Sequence, residues 1–303
     1  MSVLALLFCA LLFSFGAHAA QPRVVVVGGE STYHQAVFAA MRQFLESGPA
    51  RNVLIYQTLE QYQSSSESAP EMLVAVGTAA AQALAAAPRT VPLLCVLLPR
   101  DDYAALPQGD QGGMTALYIE QPLHRYLSLI RLALPQRDRV SAVLGPLSSV
   151  LSGALHTEAE HLGLGVNAVA INEPNELAAG LAQVGLPSGV LLALPDPLVV
   201  NADTARTLIL TAYHHGMALV GYSQALVKAG ALMAVHTTPE QFGQDAGEMV
   251  RTALATVPIR LPPPRYPSYF NVSVNYQVAR ALELNLPPEQ QLVRQLQQQE
   301  VVR

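Results

Sequence analysis

From residue 23 onward the chain alternates short apolar runs with longer stretches whose apolar positions recur at helical spacing. Residues 24–27, 52–56, 72–76, 93–98 and 115–119 are dominated by Val, Leu, Ile and Ala, and Gly, Pro or polar clusters bound them. Such runs are the signature of parallel strands covered on both faces. Residues 32–47 and the Ala-rich 79–87 carry helical patterns between them, as right-handed crossovers between parallel strands require. These elements predict one α/β lobe.

The pattern then begins again. Residues 123–134 read as a helix and 140–144, 166–171, 190–194 and 218–221 as strands, with helical stretches at 149–162, 176–184 and 200–214. A further strand is expected at 230–235, and Pro239 opens a helix to residue 255, since proline suits a first turn. A strand at 270–274 and helices at 276–284 and in the Gln-rich 287–303 complete the chain. The expected fold is therefore α/β with two lobes, each a doubly wound, mostly parallel sheet. The chain is expected to leave the first lobe near Glu120, return at Ala229, and cross again with the Pro-rich turn at 261–264. That threading gives one lobe from 21–119 plus 229–257 and another from 120–228 plus 258–303, joined by a hinge of three crossings. No sequence repeat links the two sets, so the duplication is architectural.

Composition narrows the function. Of 303 residues, 51% are apolar and 13% charged, with a net charge of -5; ordinary soluble domains carry roughly 25% charged residues. A large core follows. Mild acidity without Lys/Arg runs excludes nucleic acid, whose phosphates need clustered cations. Residues 1–20 lack charged side chains and end in Ala17-His18-Ala19 followed by Ala20, which predicts a cleaved signal peptide and a periplasmic location. The apolar run 3–15 is shorter than the roughly 20 residues a membrane span needs, and Cys9 follows Phe8 where a lipidation site requires a small residue. Without the leader Cys95 is the one cysteine, set in an apolar strand as a small hydrophobe.

Candidate chemistry thins out on inspection. Gly221-Tyr222-Ser223-Gln224-Ala225 mimics a nucleophile elbow, yet the only histidine after Ser223 is His236, with no Asp or Glu between them. His156 and Glu160 stand one helical turn apart beside His161, and His214-His215 end another helix, but no further ligands have usable spacing, so no metal site is expected. The Gly28-Gly29 turn lacks the phosphate-cradling patterns, so no nucleotide cofactor is expected.

What remains are polar residues at the carboxyl ends of strands, where open α/β sheets bind ligands. They are Ser31, Thr32 and Tyr33; Gly77 and Thr78; Ser148 and Ser149; Asn172; Asp196 and Asn201; Tyr222 and Ser223. Thr78 is placed to cap the next helix, whose free N–H groups attract a carboxylate; a plain cap is the simpler reading. Asp196, between Pro195 and Pro197, suits a cation or a turn that bonds its own backbone.

Three strings then read together: Val74-Ala75-Val76-Gly77-Thr78-Ala79-Ala80-Ala81, Ala193-Leu194-Pro195-Asp196-Pro197-Leu198-Val199, and Val220-Gly221-Tyr222-Ser223 with Val227-Lys228-Ala229-Gly230-Ala231-Leu232. With Asn275 ahead of Val278-Ala279 and Leu282, they resemble the ABC-transporter substrate-binding family that includes tryptophan- and tyrosine-binding proteins. The resemblance covers most of the chain and is strongest over 191–286. It implies a type I-like periplasmic-binding-protein fold with three crossings, Gly77 and Thr78 near a ligand carboxylate, and Asp196 near an ammonium. Pro197 stands where family members often carry Asn, and no lipobox is present.

The expected function is non-enzymatic. A small molecule, such as an amino acid or related compound, is captured between closing lobes for an ABC permease. A ligand-sensing module docked on a membrane sensor kinase is the alternative. The expected binding residues are Ser31, Tyr33, Gly77, Thr78, Ser148, Ser149, Asp196, Asn201, Tyr222 and Ser223, with no cofactor and no metal.

Overall fold

A computed structural model describes residues 23–48, 53–65, 69–107, 113–185 and 187–301. The expected signal peptide, with Cys9, lies outside them. In the first sheet β1 (Arg23–Val27), β2 (Val53–Gln57), β3 (Met72–Val76), β4 (Leu93–Leu98) and β5 (Met114–Tyr118) run parallel in the order β2-β1-β3-β4-β5. Every residue of β3 and β4 is buried, because helices cover both faces. On one face α1 (Thr32–Glu46) and α10 (Pro239–Leu254) pack Val37, Met41, Phe242 and Met249 onto Val24, Val26 and Val74. On the other, α3 (Thr78–Ala86) and α4 (Arg100–Ala105) cover Val25, Val27 and Ala75, and Cys95 is buried there.

The second sheet contains β6 (Arg139–Leu144), β7 (Gly165–Ala170), β8 (Val190–Leu192), β9 (Ala218–Gly221), β10 (Met233–His236) and β11 (Asn271–Val274). Its order is β11-β10-β9-β8-β6-β7, parallel except for β11, which runs antiparallel to β10. The run β7-β6-β8-β9-β10 repeats the order of the first sheet, so the duplication expected from the element pattern is present in the topology. Helices α5 (Leu123–Ala133), α6 (Ser152–His161), α11 (Tyr276–Ala281) and α12 (Glu289–Val301) cover one face. Helices α7 (Leu177–Val184), α8 (Ala205–His214) and α9 (Gln224–Ala229) cover the other. This is the type I periplasmic-binding-protein architecture.

Two boundaries differ from the sequence expectation. The second crossing comes after His236, not at Ala229, because residues 233–236 pair with β11 and the first two of them, Met233 and Ala234, also pair with β9. Gly230 simply ends α9. The third crossing is also later: Arg265 still exchanges backbone hydrogen bonds with β5, accepting from Tyr118 at 3.0 Å and donating to Ala116 at 2.9 Å. In addition α8 begins at Ala205 rather than residue 200, because the Asn201 side chain accepts from the Asp203 and Thr204 amides (2.9 and 3.0 Å) and holds a turn. Three helices of six residues, α2 (Leu59–Ser64), α4 and α9, are too short to show periodicity and were not expected.

The crossings lie side by side and bond to one another. Gln121 Nε2 on the first donates to Thr237 Oγ1 on the second at 2.8 Å, and that hydroxyl donates to the Tyr269 carbonyl on the third at 2.7 Å. Arg125, 4% exposed, donates to Gln121 Oε1 and to the Pro267 carbonyl, lies over the Phe270 ring at 4.0 Å, and holds Glu300 of α12 through two oxygens at 2.5 and 2.9 Å. On α10 the fully buried Asp245 accepts from Arg265 and from the Ser268 amide. Arg125 and Asp245 therefore each have a charged partner and surrounding hydrogen bonds, as burial demands.

Candidate functional site

Doubly wound sheets bind ligands outside the carboxyl ends of their strands, where the strand order reverses. In the first sheet that point lies between β1 and β3, and in the second between β6 and β8. A hollow of about 730 Å³ sits at the first, lined by Gly28, Gly29, Tyr33, His34, Gly77 and Thr78. A hollow of about 510 Å³ sits at the second, lined by Leu147, Leu194, Asp196 and Asn201, and closed from the first lobe by Arg100, Asp101, Asp102 and Tyr266. A third, of about 450 Å³, joins them: it shares Tyr33 and Ile119 with the first hollow and Glu120, Tyr126 and Tyr222 with the second. The result is one cleft running between the lobes across the crossings.

On the first lobe the Gly28-Gly29 turn is held from two sides. The Gly29 amide donates to His34 Nδ1 at 2.9 Å, and the Tyr56 hydroxyl donates to the Gly29 carbonyl at 2.5 Å. Burial pushes the His34 imidazole below its ordinary pKa, in keeping with its acceptor role. Gly77, at φ 91°, occupies the cap position of α3, where a Cβ would press on the His34 ring at 2.9 Å. Thr78 is consequently the first helical residue and not the cap; its hydroxyl donates to Asp102 Oδ2 at 3.3 Å. With no side-chain cap, the first-turn N–H groups of α3 face the hollow. Tyr33 is 40% exposed on the rim. Ser31 is turned to a local task, capping α1 by accepting from the His34 amide at 3.2 Å.

On the second lobe Asp196 is 2% exposed, and its carboxylate is bonded to its own surroundings. Oδ2 accepts from the Leu147 amide (3.1 Å), the Ser148 amide (2.9 Å) and the Ser148 hydroxyl (2.9 Å); Oδ1 accepts from the Leu198 amide (3.0 Å). The group that the resemblance offers to a ligand ammonium thus braces the loop after β6 against the loop after β8. Ser148 is buried beneath it, and Ser149 turns to the Pro146 carbonyl at 3.2 Å outside the cleft lining. Asn201 borders the cleft while its amide donates to the Pro197 carbonyl at 2.8 Å. Tyr222 borders two of the three hollows; burial and the Asp196 charge push its hydroxyl pKa up. Ser223 lines the joining hollow and caps α9, and His236 Nε2 pairs with Ser273 Oγ at 2.9 Å, which explains both ends of the elbow-like string. His156 Nδ1 is likewise engaged with its own helix, at the Ser152 carbonyl.

Thr78 and Asp196 border different hollows, although Asp102 links them by bonding Thr78 while lining the hollow of Asp196. Residues that the sequence did not single out occupy the middle. Ile119, Glu120 and Tyr126 come from the first crossing and the start of α5, Tyr266 from the third, and Leu147 from the loop after β6. Desolvation raises the Glu120 carboxyl pKa, only partly opposed by its backbone hydrogen bonds. The one available signal was position: Glu120 stands where the element pattern predicts the first crossing.

Comparison with known proteins agrees with this geometry. A family model described as ABC transporter substrate binding protein matches residues 55–298. No relative is found among curated protein sequences. Among solved structures, an ABC domain from Streptococcus pneumonia in complex with L-Trp is similar at 17% identity and TM-score 0.60, over 91% of this chain and 98% of that one. CD0873 from Clostridium difficile, a substrate binding protein with adhesive properties, is similar in its ligand-free, open form at 19% identity and TM-score 0.69, over 88% and 96%. A periplasmic ribose ABC transporter protein from Conexibacter woesei reaches TM-score 0.51 at 15% identity, over 88% and 95%.

Proposed function

This chain belongs to the ABC transporter substrate-binding protein family, and on that premise we propose that it captures a small molecule, an amino acid or a related compound, between its two lobes and delivers it to an ABC permease. The cleft at both topological switch points is the observation that carries this reading, since it meets the residues of two sheets and all three crossings in one place. Closure about the crossings would expel water and surround the ligand. No bond in the ligand has to be made or broken. Tyr222 and Tyr33 supply ligand contacts from the two lobes, while Asp196 and Ser148 position the loop that carries Leu147. The charge-free leader and its Ala17-His18-Ala19 ending support a periplasmic location. Among the described residues no helix is long and apolar enough to cross a membrane. The family match favours delivery to an importer over the sensor-kinase alternative.

A thermal-shift screen of amino acids, amines, purines and vitamins tests the reading. A binder present at about a hundred times its Kd adds roughly 2.7 kcal/mol of stability, enough to raise the melting temperature by several degrees. Tyr222→Ala should then weaken the best binder by about ten- to a hundredfold in titration calorimetry, the scale of losing a central aromatic contact. A library without a single stabilising compound contradicts the proposal, and unchanged affinity in Tyr222→Ala removes this tyrosine from the site.

A further inference from the structure

The middle of the cleft contains a buried polar group that the described residues leave unsatisfied. Tyr126 is 1% exposed, borders two of the three hollows, and its hydroxyl has no hydrogen-bond partner among the described residues. The Gln121 backbone N–H acts on this hydroxyl without making a hydrogen bond of ordinary geometry to it. Burial, with Glu120 and Tyr222 beside it, pushes this hydroxyl far above the ordinary phenol range and keeps it neutral. Buried polar groups almost always find partners, so an unpaired hydroxyl on a residue that borders the cleft marks a place for a ligand atom.

Glu120 borders the same two hollows. Its carboxylate oxygens accept from the Arg100 backbone amide at 3.1 and 3.2 Å, while the Arg100 guanidinium turns to Asp101 at 3.4 Å. A carboxylate desolvated in this way gains from a cation placed against it. Carboxylates predominate along the rest of the cleft: Glu30, Glu60, Asp101, Asp102 and Glu158 line it, and the Arg100 that lies among them is paired with Asp101. Even the free end of α3 has the chain's own Asp102 bonded to Thr78 at 3.3 Å, so an incoming carboxylate would meet a like charge there.

We infer that the cleft selects a small organic ammonium with an apolar or aromatic body, held by Glu120 and Tyr126, and that a ligand carboxylate is not required. This rests on the solute-binding reading above and names its ligand class. An ammonium carries three N–H donors, so one group can donate to the Glu120 carboxylate and to Tyr126 Oη together. Tyr222 and Tyr266, with Leu147 and Leu151, supply the walls for the body, and aromatic faces attract a cation as well.

Titration calorimetry near neutral pH with three probes that share one phenylalkyl body tests this: 2-phenylethylamine, L-phenylalanine and 3-phenylpropionate. The amine should bind tightest and the acid weakest. Glu120→Gln should weaken the amine by roughly ten- to a hundredfold, the scale of one charge-assisted hydrogen bond. Tyr126→Phe should also weaken it, by about tenfold, while leaving the ligand-free melting temperature unchanged or raised, because the substitution removes an unpaired buried hydroxyl; a merely structural tyrosine would show the opposite pair of effects. Any other ranking of the probes, or an unchanged amine affinity in Glu120→Gln, overturns the inference. A stabilising compound elsewhere in the screen would then leave the solute-binding reading standing, whereas no stabilising compound at all removes both.

Discussion

Arg125→Met is expected to lower unfolding stability by about 3–5 kcal/mol, the cost of removing one partner from a buried ion pair. Methionine fills most of the arginine's volume, so the loss reports lost bonds more than lost packing. Those bonds tie the first crossing to the third through the Pro267 carbonyl, and both to the C-terminal helix through Glu300. The urea midpoint of the variant measures the loss, and a deficit below about 1 kcal/mol, the scale of a surface pair, would mean the crossings do not depend on this residue.

The pairing has a pH signature. Partial burial pushes Glu300 up, but hydrogen bonds from His124 and Arg125 and their charges outweigh it and hold the carboxyl at about 2. A carboxylate depressed in the folded state contributes stability above its unfolded pKa of roughly 4.3 and loses it as pH falls toward 2. Glu300→Gln should therefore be less stable than the parent at neutral pH and nearly equal to it near pH 2. A deficit of the same size at both pH values contradicts the pairing.

Gly243→Ala is expected to destabilise by about 1–3 kcal/mol, although in an isolated helix the same change gains nearly 1 kcal/mol. The reason is contact between α1 and α10. A Cβ at Gly243 would run into the Val37 carbonyl oxygen, the Ala40 Cβ and the Met41 amide, and backbone atoms cannot swing aside as a flexible side chain would. The helices would have to separate along a core that includes Val37, Met41, Phe242 and Ala246. Because α10 is the segment that the second crossing sends back to the first lobe, this face anchors the return. A melting temperature that rises in Gly243→Ala would show propensity to outweigh packing and would contradict the close approach.

The legible parts of this fold are those with short-range causes. Apolar runs such as Met72–Val76 and Leu93–Leu98 identify themselves because both of their faces are buried. Thr238 caps α10 in a capping box with Gln241, and Pro239 begins it. Placing polar residues at strand ends brought Tyr33, Gly77, Thr78, Asn201, Tyr222 and Ser223 to the cleft lining. What stayed hidden depends on long-range contacts. Asp196 reads as an exposed turn carboxylate until the loop 48 residues earlier in the chain brings the Ser148 amide and hydroxyl onto it. Tyr126 reads as one more core residue of an amphipathic helix, and Tyr266 as part of a Pro-rich linker. Only the adjacency of the first and third crossings turns either toward a cavity. The misplaced second crossing has the same origin: nothing local tells which sheet will pair with Met233–His236.

Small-angle scattering of the protein, with and without a saturating concentration of the best compound from the screen, tests the hinged capture most directly. The two halves should draw together, so the radius of gyration should fall and the profile should become that of a more compact particle of unchanged mass. A compound that binds stoichiometrically in calorimetry yet leaves the scattering curve unaltered would contradict closure about the three crossings.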